Sequence, residues 1–163
     1  METVVHKYFI LNSDLEVLVF IKNDDTPTLF LPRISNNEVT EFSFHKKLIK
    51  LFKDVGVDFT YTTFLKSSST TSDREILRYV NKKKVYEKDK HTRKYYLTFA
   101  DFDDETIRSI NELCASYNIL PYYVSVYELD RFATKDFQYE KKGLAQVECN
   151  VRDALKVLKI KLK

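Results

Sequence analysis

Lys46, Lys50 and Lys53 fall at i, i+4 and i+7, a spacing that puts three ammonium groups on one face of a helix. Like charges repel, so such a face cannot assemble a magnesium site. It can hold an anion directly, with lysine neutralising charge that a metal would otherwise neutralise. The same spacing also describes a solvated lysine face. A second basic feature lies in residues 78–94, where Arg78, Lys82, Lys83, Lys84, Lys88, Lys90, Arg93 and Lys94 stand against Glu87 and Asp89. Eight cations and two acids make that segment +6, so the rest of the chain carries about −3 of the net +3. Tyr79, Tyr86, Tyr95 and Tyr96 interleave with these cations. Lysine and arginine offer a salt-sensitive phosphate contact, and Tyr86, Tyr95 and Tyr96 offer rings for stacking on unpaired bases. A charged loop tip, with its tyrosines turned to the core, has the same composition.

Carboxylates are the other source of chemistry. Glu41, Asp54 and the run Asp101, Asp103, Asp104 and Glu105 are the candidates for metal-assisted hydrolysis. The acidic run also suits a helix N-terminus, where the dipole is positive. His6, His45 and His91 are isolated, lack metal-ligand spacing and read as surface or loop residues. No nucleophile elbow is written, because that turn needs flanking glycines. No metal or cofactor is therefore expected.

Glycine is scarce, with two in 163 residues. Only Gly56 and Gly143 can serve backbone positions of positive φ, so neither a P-loop nor a dinucleotide fingerprint can form. That scarcity argues against kinase, P-loop NTPase and Rossmann dehydrogenase functions. The two cysteines, Cys114 and Cys149, make no disulfide framework. Reducing, intracellular and cytoplasmic surroundings are the expectation, with a nuclear location left open. No run approaches a membrane span, and the opening METVVHKYF is not a secretory signal.

The elements that must position these residues read as one domain over residues 1–163, with an α+β fold. Val4–Leu11 and Leu15–Lys22 form a hairpin around Asn12-Ser13-Asp14. Thr28–Leu31 is a short strand ended by Pro32, and Arg33–Thr40 reads as loop. Phe44, Leu48, Leu51, Phe52 and Val55 mark a single apolar helix stripe, with Ser43 at its start and Gly56 as its stop. Val57–Leu65 reads as strand and Ser67–Ser72 as loop. Asp73–Val80 fits helix or strand equally. Tyr86–Lys94 is a polar connection or the tip of a long hairpin, and Lys94–Phe99 is a strand. A second helix over Asp103–Tyr117 shows Ile107, Ile110, Cys114 and Tyr117 on one face. Leu120–Leu129 is a strand, Asp130–Gly143 is irregular, and Asn150 caps a last helix through Val151, Leu155 and Leu158.

The stretch from Leu29 to Phe59 resembles the Nudix hydrolases. Their box runs Gly, five residues, Glu, seven residues, Arg-Glu, an apolar residue, one residue, Glu-Glu, one residue, Gly and an apolar residue. With its final glycine on Gly56, Glu41, Leu51 and Val57 also match. The Leu31-Pro32 pair and the preceding hairpin agree as well. The acidic positions do not: Arg-Glu falls on Ile49 and Lys50, Glu-Glu on Lys53 and Asp54, and the opening glycine on Ser35. The resemblance covers mainly residues 4–66. It implies a Nudix-like sandwich, a mixed β-sheet packed with two to three helices, whose metal chemistry is impaired.

The implied function is a non-catalytic module that contacts RNA, single-stranded nucleic acid or nucleotide phosphates, or serves in a nucleoprotein assembly. The alternative within the same fold is a divergent magnesium-dependent nucleotide-diphosphate hydrolase using Glu41 and Asp54. Asp130, Glu140 and Lys142 loosely resemble the Asp…Glu-x-Lys pattern of restriction-endonuclease-like enzymes, but downstream of the strand–helix–strand unit rather than on its core strand. A structural subunit whose aromatic surface packs on a protein partner is the remaining reading.

Overall fold

The computed structural model describes residues 2–22, 28–36, 43–59, 62–80, 83–129, 146–147 and 156–162. Residues 2, 28, 68–80, 83–91, 146 and 147 are described by their backbone alone.

Strands β1 (Glu2–Leu11) and β2 (Glu16–Lys22) form the expected hairpin. Asn12 shapes its turn, because its Oδ1 accepts from the backbone N–H groups of Asp14 at 3.1 Å and Glu16 at 2.9 Å. The two strands register at Leu11 and Val17. Farther from the turn, β3 (Thr28–Phe30) pairs with β2, and β4 (Arg33–Ser35) pairs with β1. Between them, the Pro32 carbonyl accepts from the Tyr8 N–H at 3.0 Å. The expected loop over Arg33–Thr40 therefore begins as a strand. Its backbone satisfies β1 groups that β2 does not reach. Residues 37–42 lie outside the described residues.

β5 (Thr63–Val80) and β6 (Lys83–Phe99) form a long antiparallel ribbon. β6 then runs parallel to β1 from Glu2–Lys90 to Leu11–Phe99. This ribbon corrects three expectations. The strand expected from Val57 starts only at Thr63, the Ser67–Ser72 loop is strand, and the polar stretch Tyr86–Lys94 is strand. Asp73–Val80 resolves as strand. A polar composition did not prevent pairing here. β5 ends the strand order β5-β6-β1-β2-β3-β8.

Helix α1 (Ser43–Asp54) buries Phe44, His45, Leu48, Ile49 and Phe52. Val55, expected on its stripe, is exposed because the helix has already ended. Gly56, at φ +95°, closes it: its N–H donates to Lys53 O at 3.1 Å and the Val57 N–H donates to Phe52 O at 2.9 Å. That bond pair is the Schellman arrangement, with Val57 and Phe52 packed in one core cluster. Helix α2 (Asp104–Ser116) is capped by Asp103, whose carboxylate accepts from the Thr106 N–H at 2.8 Å. It buries Thr106, Ile110 and Cys114, and Asn118 at φ 56° turns the chain into β7 (Ile119–Ser125). β7 pairs with β2, and the expected strand to Leu129 stops at Ser125. β8 (Gln146–Val147) pairs parallel to β3.

The sheet carries a core on each face. Tyr8, Ile10, Leu18 and Phe20 pack with Phe44, Leu48, Phe52, Ile110 and Cys114 of the two helices. Phe9, Leu11, Val17 and Val19 pack on the other face with Tyr95, Leu97 and Leu158. Leu158 belongs to a helical stretch over 156–161, so a mixed sheet lies between helices on both sides, the expected α+β sandwich.

Candidate phosphate-binding groove

α1 does not present its three lysines to one place. At 3.6 residues per turn, Lys53 and Lys50 point about 60° apart, with Lys46 between them. All three are exposed. Lys46 and Lys53 line a groove of about 290 Å³ between α1 and β4, with Arg33, Ser35 and His45, over Ile34 and Ile49. Lys50 opens instead into a cleft of about 550 Å³ between α1 and the start of α2, with Lys47, Asp54, Asp103, Glu105, Thr106 and Ser109. The first site is cationic; the second is of mixed charge.

His45 corrects the surface reading of the histidines. It is 4% exposed, in ring contact with Phe30 at 5.3 Å and Phe44 at 5.5 Å. Burial, then the charges of Arg33 and Lys7, push its pKa down to about 3. It enters the groove as a neutral imidazole at pH 7. His6 is also partly buried, with its Nδ1 2.8 Å from the Tyr96 hydroxyl. Burial and then Lys94 lower its pKa.

The residues at the Nudix metal positions do not fit a divalent cation. Ile49 is buried, Lys50 and Lys53 are cations, and Asp54 faces the α2 cleft. Among the described residues no three His, Cys, Asp or Glu side chains gather into a metal-holding group. Magnesium needs oxygen ligands, and neither lysine offers one. Glu41 lies outside the described residues. Asp101 and Asp103 of the acidic run have structural work. Asp101 accepts from the Ser13 N–H at 2.9 Å and its hydroxyl at 3.0 Å, tying the β1–β2 turn to the end of β6. The Thr106 bonds hold the Asp103 carboxyl below its ordinary pKa.

The basic segment is spread along the ribbon. The backbones of Arg78, Lys83, Lys84, Lys88 and Lys90 lie in β5 and β6, and Lys82 lies outside the described residues. Arg93 and Lys94 are half-buried beside β1. Of the three stacking candidates, Tyr95 is corrected outright: it is 0% exposed in the core. Its position on β6 faces the cluster of Phe9 and Leu97, so no base can reach it. Tyr96 is half-buried, stacked on Tyr8 at 5.3 Å and edge-on to Phe64 at 5.7 Å. Nothing is described of the Tyr86 side chain, and Asp130, Glu140 and Lys142 lie outside the described residues.

Sequence reasoning missed Arg33, His45 and Lys7. Arg33 was hidden in an expected loop. The signal for Lys7 was its place inside the apolar run of β1, where it is 4% exposed.

No protein-family model matches the chain, and no curated protein matches it. Solved structures do. It is similar to the MutT protein from Methanosarcina mazei Go1, at 12% identity and TM-score 0.51, over 99% of this chain and 96% of that one. It also matches an ADP compounds hydrolase, at 13% identity and TM-score 0.45, over 98% and 72%. The C. elegans Ap4A hydrolase matches at 10% identity and TM-score 0.39, over 100% of both chains. At these identities the likeness concerns the fold, and the first of the three carries it: the chain has a Nudix-like fold.

Proposed function

We propose that this chain is a non-catalytic Nudix-like module that binds phosphate of RNA or nucleotides without a metal. The observation that carries the reading is the groove between β4 and α1. Arg33, Lys46 and Lys53 converge there, and no carboxylate is among its described lining residues. Arginine supplies a planar fork for phosphate oxygens, and lysine supplies point charge. Binding of this kind releases counterions and falls steeply with salt. The test is filter binding of a short RNA and of a nucleoside diphosphate at 50 and 200 mM salt, with magnesium and with EDTA. Affinity that falls with salt and survives EDTA is expected. No binding at low salt sinks the proposal.

A second reading is favoured by one observation: Asp54, Asp103 and Glu105 share the α2 cleft with Lys47 and Lys50. A divergent magnesium-dependent hydrolase would draw on Asp54 there and on Glu41. Magnesium-dependent turnover of nucleotide diphosphates, lost in Glu41→Gln or Asp54→Asn, would establish it in place of the first.

A further inference from the structure

On the α1 side of the sheet, the groove floor leads onto a patch of rings. Ile34, which lines the groove, registers with His6 on β1, and His6 with Lys94 on β6. One row along, Tyr8 registers with Tyr96, and Tyr96 with Phe64 on β5. Strand residues alternate faces and cross-strand partners share one, so these six residues stand on one side. Ile34, Tyr8 and Tyr96 belong to the helix-side core cluster, which fixes that side as the one α1 covers. It is the more open side at this end of the sheet. His6, Lys94 and Tyr96 are half-buried, whereas Val5, Lys7 and Tyr95 on the other side are buried.

The rings hold one another in place. The Tyr96 hydroxyl lies 2.8 Å from His6 Nδ1, and the Tyr96 ring stacks on Tyr8 at 5.3 Å. Phe64 meets Tyr96 edge-on at 5.7 Å and remains 50% exposed. A large apolar ring is thus left half in solvent, beside a second ring and near a cation. The end of α1 ties this patch to the groove. Phe59 packs on Tyr8 at 4.7 Å and lies 6.3 Å from Phe52, whose chain neighbour Lys53 lines the groove. From Ile34 to the β6 positions is two strand steps, roughly 10 Å. A dinucleotide covers that span.

We infer that Phe64 and Tyr96 form a stacking platform for an unpaired base of the strand whose phosphate lies in the groove. This rests on the phosphate-binding reading above and specifies its ligand as a single-stranded nucleic acid rather than bare phosphate. Stacking uses the π face that every base has, so the platform tolerates any sequence.

The test compares a short oligoadenylate with an abasic strand of the same length, which keeps the phosphates and lacks the bases. Binding is measured to the wild-type chain, Phe64→Ala and Phe64→Trp, each checked for unchanged thermal unfolding. The wild-type chain is expected to bind the oligoadenylate at least about fivefold more tightly, the low end for one stacked base. Phe64→Ala should lose that advantage with abasic affinity unchanged, and Phe64→Trp should keep it. Equal binding of both strands by the wild-type chain, or an advantage that survives in Phe64→Ala, overturns the platform and leaves the groove standing. Binding of neither strand removes groove and platform together. One readout needs no variant: a single 2-aminopurine in an otherwise abasic strand should lose fluorescence on binding, as a stacked base does. Unchanged fluorescence in the bound strand overturns the platform.

Discussion

Lys46 and Lys50 stand one turn apart on α1, yet Lys46 opens onto the β4 groove and Lys50 onto the α2 cleft. Their neighbours decide what each can do. Lys46 adds to Arg33 and Lys53, whereas Lys50 shares its space with Asp54 and Glu105.

Phosphate binding should therefore separate the two. Lys46→Gln/Lys53→Gln is expected to weaken binding of a short RNA about tenfold at low salt, or ~1.4 kcal/mol. Lys50→Gln should stay within about twofold. Fluorescence anisotropy titrations of the two variants make the comparison, and equal losses would contradict the split.

Gly56 sits at φ +95°, and a Cβ added there meets nothing within 4 Å. Steric contact with neighbours therefore adds no cost to Gly56→Ala. The left-handed backbone does, by about 1–2 kcal/mol. Urea unfolding should show that loss, and Gly56→Asn should lose less, since asparagine tolerates this region.

His45 should make stability depend on pH. Its folded pKa, about 3, lies below the ordinary 6.5, so protons favour the unfolded chain. The contribution is fully present above pH 6.5 and is lost as pH falls toward 3. The slope reaches at most ~1.4 kcal/mol per pH unit for one proton. Denaturant unfolding at pH 7, 5.5 and 4 should show it, and His45→Gln should flatten it. An imidazole resonance for His45 that titrates near pH 6.5 would reject the assignment.

Cys114 is buried within α2, and burial raises its thiol pKa to about 12. Thiolate is the reactive form, so it should be inert in the native state. In a Cys149→Ser background, an aromatic disulfide reagent should register no thiol until denaturant is added. Rapid native labelling would show that α2 is not packed as described.

Much of the fold was legible because local rules and tertiary packing agree. The β1–β2 hairpin followed from its turn residues. α1 and α2 followed from apolar spacing, and Gly56 and Asp103 mark their ends by backbone chemistry. The ribbon was less legible, since Ser67–Ser72 and Tyr86–Lys94 have the composition of loops. Their strand character comes from pairing with each other, which a one-dimensional pattern does not carry.

The lysines show where sequence reading stops. On the resemblance read from the sequence, Lys50 and Lys53 stand where acids of a metal site would be and Ile49 where its arginine would be. Sequence alone also placed Lys46, Lys50 and Lys53 on the solvent side of α1, because helical periodicity is local. Tertiary structure decided that they divide between two clefts, that Tyr95 is core, and that Arg33 on β4 registers with Lys7 on β1. Those outcomes depend on which strand lies beside which. Register is fixed by hydrogen bonds between residues as distant as Lys7 and Tyr95, and no local pattern encodes that distance.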